Sequence, residues 1–178
     1  MKLFTVLLFI TSLLLADTPV KNLGNDKPVN EKPFNAPAFY TMDFDKNTTC
    51  LVRHFKVYKD PKWVAKIKVR SGQTVYFSSP KSMFEFYHRP GKWFDVGVKS
   101  ERDFAEIVVT DYETLKPINA ETAFFVYGSR ATSPSGDDLV PLATKEAAEK
   151  FSKAYSGKRI FKFDEVSDAL IRLLNGRI

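Results

Sequence analysis

The chain has few of the residues that form disulfides, bind metals or act as nucleophiles. Its 178 residues include one cysteine, Cys50, with two histidines and three methionines. One cysteine cannot form a disulfide within the chain, so a disulfide-stabilised scaffold is excluded. A zinc site is disfavoured, because a zinc ion needs more cysteine and histidine ligands than the chain has. Neither histidine lies in a pattern typical of nucleophilic catalysis, and we predict that the protein is not an enzyme.

Long apolar runs are also rare, and the one at the start of the chain is short. Lys2 precedes an apolar stretch over residues 3–15, which ends at Ala16. This layout over residues 1–16 is typical of a secretory signal peptide, and about 20 apolar residues would be needed to span a bilayer. We predict cleavage after Ala16, export to the periplasm and no transmembrane segment in the mature chain. An uncleaved anchor is the alternative. A lipoprotein anchor is not expected, because no cysteine lies directly after the run and the only cysteine is Cys50.

Positive charge exceeds negative charge over the whole chain. Lysine and arginine number 27 against 21 aspartates and glutamates, a formal net charge of +6. Such an excess often indicates nucleic-acid binding. Here the basic residues are scattered and an exported protein rarely meets DNA, so no nucleic-acid partner is expected. A solvated surface, or contact with an acidic protein or anionic lipid, suits this charge better.

Proline and the apolar patterns divide the chain into a linker and a folded region. Residues 17–37 carry four prolines among asparagines and lysines, a composition that favours a flexible linker. Residues 38–178 alternate between strand and helix patterns, and each half, about 50–115 and 120–178, runs strand, strand, helix, strand. We predict an α+β fold of two tandem strand-strand-helix-strand halves packed together, plus a C-terminal helix. A cleft between the halves is a common place for a ligand site.

Local signals position these elements. Ser79 and Pro80 supply a capping hydroxyl and a first-turn proline for the first helix. Thr144 caps a second helix that runs to about Tyr155, and Gly157 is expected to end it. The polar residues 129–136 indicate a connecting loop. The strands are predicted at residues 64–69, 73–77, 106–111, 123–127, 138–142 and 159–163, and the last helix at residues 167–174.

Several segments in the same order resemble a known family. They lie at residues 62–65, 80–87, 110–112, 116–120, 125–129, 139–148 and 163–166. Together they extend from about Cys50 to about Val166 and resemble the NosL family, the accessory proteins of nitrous oxide reductase. The resemblance implies the same two-halved fold. It also implies binding of Cu(I) and a role in assembling the copper centres of that reductase outside the cytoplasm.

The family's first motif is mostly lost at the matching positions. NosL proteins usually carry Cys-Pro-Val-Cys-Gly-Met, whereas residues 50–55 here read CLVRHF. The first cysteine is kept as Cys50, but Arg53 takes the place of the second cysteine. His54 replaces the glycine and Phe55 the methionine. A permanent cation at Arg53 opposes the binding of a metal cation there.

Three soft ligands remain as candidates for Cu(I), which prefers thiolate, thioether and imidazole groups. The family's later Gly-Pro-Met-Gly motif reads SPSG at residues 133–136, so its methionine is lost. Cys50 and His54 form the best surviving pair. In a regular strand they would lie about 13 Å apart, and Leu51 and Val52 do not indicate a turn. A lone buried thiol and an exposed imidazole are the alternative. Met83 is a third candidate, although a methionine among aromatics usually fills core volume.

Two functions in the same family follow from these features. The first is an exported accessory protein that resembles copper chaperones and docks on nitrous oxide reductase or its assembly proteins. The alternative is a divergent NosL-like protein-interaction module that binds no copper. A third hypothesis, an enzyme such as a lyase that uses paired cysteines, is disfavoured by the single cysteine.

Overall fold

Two antiparallel sheets and three helices build the folded region. The computed structural model describes residues 39–177. The predicted signal peptide and linker therefore lie outside the described residues. Within the described range, no helix is both long enough and apolar enough to cross a membrane. The elements are β1 (Ala65–Val69), β2 (Thr74–Phe77), α1 (Pro80–His88), β3 (Phe104–Thr110), β4 (Pro117–Asn119), β5 (Phe124–Ser133), β6 (Gly136–Leu142), α2 (Lys145–Tyr155), β7 (Arg159–Lys162) and α3 (Asp168–Leu174).

The two halves follow the same chain path. β1 pairs with β2 and β3, and β5 pairs with β6 and β7, in every case antiparallel. The strand order β2-β1-β3 thus recurs as β6-β5-β7, and β4 adds a fourth strand beside β3. In each half the helix follows the second strand, and the next strand returns beside the first. The predicted α+β fold of two strand-strand-helix-strand halves with a C-terminal helix is confirmed.

Side-chain hydroxyls begin all three α-helices of residues 39–177. Ser79, Thr144 and Ser167 each accept a hydrogen bond from a backbone N–H three residues later, which satisfies one of the unpaired donors of a first turn. α2 ends at Tyr155, as predicted, but the residue that ends it is Ser156 and not Gly157. Ser156, at φ 58°, takes the left-handed conformation. Gly157 is required for close packing instead, since a Cβ there would lie 2.5 Å from a side chain of β5.

The β5–β6 hairpin is longer than its sequence indicates. Residues 129–136 were expected to form a connecting loop, yet β5 continues to Ser133 and β6 starts at Gly136. The added pairs include Thr132 with Asp137. Proline and glycine, at positions 134 and 136, have weak strand preferences, and here the partner strand supplies the pairing. The hairpin tip is thereby projected beside the first half.

Aromatic side chains join the two halves into one core. The ring of Phe84, on α1, lies 5.1 Å from that of Phe125 on β5 and 5.0 Å from that of Phe163, measured between centroids. Phe84 and Phe125 are both fully buried. Because α1 also packs on β1 and β2, this helix fixes the Cys50 region of the first half relative to the hairpin of the second.

Candidate functional site

Residues 50–55 form a tight turn. The backbone N–H of Cys50 donates to the carbonyl of Phe55 at 2.8 Å, and that of His54 donates to the carbonyl of Cys50 at 2.9 Å. The expectation that Leu51 and Val52 do not belong to a turn is therefore wrong. The hydrogen bonds that close the turn are made by residues that flank Leu51 and Val52.

His54 has the backbone conformation that makes the turn possible. Its φ is 60°, in the left-handed region, where a residue other than glycine costs about 1 kcal/mol or more. Sequence reasoning missed the turn because neither glycine nor asparagine marks this position. Histidine is enriched in this region, but positive φ stays uncommon for every residue other than glycine, so a histidine alone does not mark it.

The sulfur of Cys50 lies inside the turn. Cys50 is fully buried, and the backbone N–H of Arg53 donates to its Sγ at 3.3 Å. Cys50 and exposed His54 line the same small pocket, together with Tyr76 of β2. Met83 does not line that pocket, and its side chain is fully buried in the core. The structure therefore brings two of the three candidate ligands to one place and leaves the third apart.

The side chain of Arg53 is held by a buried carboxylate on α1. Its Nη2 donates to Glu85 Oε2 at 3.0 Å and to Asn175 Oδ1 at 2.5 Å. Arg177 Nη1 donates to Glu85 Oε1 at 2.6 Å, and the Glu85 side chain is only 4% exposed. Burial acts to raise the pKa of Glu85, but the hydrogen bond from Arg177 and the charge of Arg53 outweigh it. Together they hold that pKa below its ordinary value.

Hydrogen bonds hold the tip of the β5–β6 hairpin next to Glu85 and the arginines that contact it. Lys81 Nζ donates to the carbonyl of Ser135 at 2.8 Å and to that of Leu174 at 3.2 Å. The backbone N–H of Lys81 and the hydroxyl of Ser133 both donate to the carboxylate of Asp138, each at 2.7 Å.

Burial raises the pKa of Asp138 in spite of these bonds. Burial likewise lowers the pKa of Lys81, although the charge of Asp138 opposes that shift.

The Cys50 turn and the hairpin tip meet at one pocket. Arg53 and Phe55 line it from the turn, and Pro134 and Ser135 line it from the tip. Within residues 39–177, no three side chains of the histidine, cysteine, aspartate and glutamate types cluster closely enough to hold a metal ion. This region has one thiol and one imidazole next to a pocket that is lined by cationic side chains. Such an arrangement is suited to binding a ligand.

Comparison with known proteins identifies the family. The NosL family model matches residues 41–171. The chain belongs to the NosL family. Its structure is also similar to the crystal structure of the copper chaperone NosL from Shewanella denitrificans, with 25% sequence identity and a TM-score of 0.62. That match covers 75% of this chain and 99% of the other. Comparison with curated protein sequences gives no significant match.

The two degenerate NosL motifs come together in this structure. On the resemblance described above, residues 50–55 correspond to the family's first motif and residues 133–136 to the second. His54 stands where the family has glycine and has the positive φ that glycine favours. Arg53, Phe55 and Ser135, which the resemblance places at the family's second cysteine and two methionines, all line the pocket at the hairpin tip and not the one that Cys50 and His54 line.

Proposed function

We propose that this protein is an exported, non-catalytic accessory protein that carries Cu(I) as cargo during the assembly of a copper centre, such as that of nitrous oxide reductase. The observation that carries the proposal is the turn at Cys50. It keeps one thiol of the NosL motif and places an imidazole, that of His54, at the same pocket. Membership of the NosL family and the likeness to a copper chaperone support the same role.

The chemistry of the turn fits a soft, transferable ion. A thiolate and an imidazole are both suitable ligands for Cu(I). The charge of Arg53, which opposes a cation, is balanced by the salt bridge to Glu85 at 3.0 Å. Two ligands hold an ion less tightly than a full set of soft ligands would. We therefore expect binding that is weak enough for the ion to pass to a partner.

A second function is favoured by the residues that replace the soft ligands. Arg53, Phe55 and Ser135 give the pocket a guanidinium, an aromatic ring and a hydroxyl, groups that suit contacts with a protein. In that case the protein is a NosL-like interaction module in the same assembly process and binds no copper. Nitrous oxide reductase or its assembly proteins are the proposed partners under either function.

Anaerobic titration with Cu(I) against a coloured chelator separates the two functions. The unmodified protein is expected to hold one Cu(I), and Cys50→Ala is expected to lose it because the thiolate is gone. His54→Gly is expected to weaken binding by about tenfold, roughly 1.4 kcal/mol. Glycine is the appropriate replacement, because it retains the backbone at φ 60° while removing the imidazole.

The control for these variants is His88→Gln. His88 Nε2 lies 2.8 Å from the carbonyl of Val166, and the residue does not line the Cys50 pocket. It is expected to leave the affinity for Cu(I) unchanged. Failure of the unmodified protein to compete for Cu(I) would support the interaction module. Equal binding by Cys50→Ala would show that the Cys50 turn is not the copper site, and would contradict the proposal in its present form.

A further inference from the structure

A cationic groove with an apolar wall lies next to the Cys50 turn. Two neighbouring pockets share Phe55 and Pro134 as lining residues. Phe55 exposes 45% of its surface, a large fraction for an aromatic side chain. We call this surface the Phe55 groove; its shared wall is Phe55 and Pro134, and its cations are Arg53 and Lys81 in one pocket and Lys56 and Lys59 in the other.

Positive charge prevails in the Phe55 groove. Of the residues that line its two pockets, one is an arginine and three are lysines, and only Asp60 carries a carboxylate. Lys56 and Lys59 are exposed and can contact a ligand directly. Lys81 is buried, so it acts on the groove only through the electrostatic potential of its ammonium group. Glu85 lies behind Arg53, buried, and is already shared with Arg177. Clefts with charges of one sign attract ligands of the opposite sign.

The shape of the groove selects among anionic ligands. A compact anion such as phosphate would use the cations but not the apolar wall of Phe55 and Pro134. A lipid surface is broad and flat, whereas this groove is two adjoining depressions. A short extended peptide uses both features, because residues two apart share one face, so an apolar side chain and carboxylates on either side of it can enter the groove together.

We propose that the Phe55 groove binds an acidic segment of a partner protein. An apolar side chain of that segment packs on Phe55 and Pro134, and its carboxylates lie toward Lys56 and Lys59. The proposal requires no copper. It goes beyond the cargo role by naming the kind of partner surface that docks beside the Cys50 turn.

The test is fluorescence anisotropy with a labelled, end-blocked pentapeptide, Asp-Glu-Leu-Glu-Asp. We expect saturable binding by the purified protein that weakens as salt is added, since the contacts are exposed ion pairs. The double variant Lys56→Glu/Lys59→Glu is expected to bind at least about tenfold more weakly. Its matched control is Lys145→Glu/Lys150→Glu, which makes the same charge change at exposed positions on α2 and should bind like the unmodified protein.

Further probes separate this proposal from simple charge attraction. Replacing the peptide's leucine with glycine, or Phe55 with serine, is expected to weaken binding several-fold because the apolar contact is lost. Equal loss in both lysine double variants, indifference to the leucine, or no binding at all would overturn the proposal. So would tighter, Lys56- and Lys59-dependent binding of inorganic phosphate or of phosphatidylglycerol vesicles. Cu(I) titration of the Lys56→Glu/Lys59→Glu protein keeps the two proposals distinguishable, because its copper affinity should not change.

Discussion

Replacing Arg53 with cysteine is expected to tighten Cu(I) binding by roughly 100-fold or more, about 2.7 kcal/mol. The backbone N–H of Arg53 lies 3.3 Å from Cys50 Sγ, so the substitution places a second thiol on the residue whose backbone already contacts the existing sulfur. The substitution adds a thiolate and removes a positive charge in one step. It also restores the second cysteine of the NosL motif. Competition with chelators of graded affinity under anaerobic conditions measures the change.

Arg53→Ser is the matched control for this gain. It removes the same guanidinium and adds a side chain of similar size to cysteine, but it supplies no soft ligand. Its affinity for Cu(I) is expected to change by no more than a few-fold. Similar gains in both variants would show that the lost charge, and not the new thiolate, is responsible. No gain in the cysteine variant would mean that the turn does not present position 53 to the ion.

Stability measurements on Arg53→Cys supply an independent readout. Loss of the guanidinium removes one partner of the buried Glu85, so the metal-free variant is expected to unfold at a lower temperature than the unmodified protein. A ligand that binds only the folded state stabilises it by mass action. Added Cu(I) should therefore raise the melting temperature of the cysteine variant more than that of the unmodified protein.

The order of strands and helices could be predicted from the sequence because it depends on local signals. Ser79 with Pro80, and Thr144, mark helix starts that the structure has through bonds within one turn. The extension of β5 to Ser133 could not be predicted, because it depends on pairing with β6. The turn at residues 50–55 was missed for a similar reason. Its hydrogen bonds impose a positive φ on His54, a residue that rarely signals one.

The charged cluster of the candidate site was not predictable because its partners are distant in the chain. Cys50, His54 and Arg53 were identified through the family motif. Glu85 was not, since a glutamate in an amphipathic helix usually faces solvent. It is buried because Arg53 and Arg177, 32 and 92 positions away, meet it in the fold. Only the tertiary structure shows that the residue replacing the second cysteine has acquired its own counterion.

Glu85→Gln is expected to destabilise the fold by about 3 kcal/mol at neutral pH, the lower end of the range for breaking a buried ion pair. The amide leaves Arg53 Nη2 and Arg177 Nη1, now 3.0 Å and 2.6 Å from carboxylate oxygens, without a counterion. Lys92 Nζ, at 3.7 Å, loses its partner as well. The lower end of the range applies because the cations are partly exposed and screened by water. Thermal unfolding should show a melting temperature roughly 10 °C lower.

The pH dependence of the stability shows whether Glu85→Gln acts by removing a charge or by disturbing the packing. The pKa of Glu85 is lowered in the folded protein, so its carboxylate contributes stability that is complete above the unfolded-state pKa. That contribution is lost as the pH falls through the folded value. The difference between the unmodified protein and Glu85→Gln should therefore shrink below about pH 4.3, the ordinary value for glutamate. A difference that stays constant into acid would assign the effect to packing.

The control for Glu85 is a glutamate in an exposed pair of the same kind. Glu149 lies 3.6 Å from Lys145 one turn away on α2, and both side chains are more than half exposed. Glu149→Gln should change the stability by no more than about 0.5 kcal/mol, because exposed pairs gain little in water. Similar effects at the two positions would mean that burial gives the Glu85 cluster no special weight. Arg53 could then separate from Glu85. The pocket at the family's soft-ligand positions would in that case have no carboxylate held permanently beside its arginine.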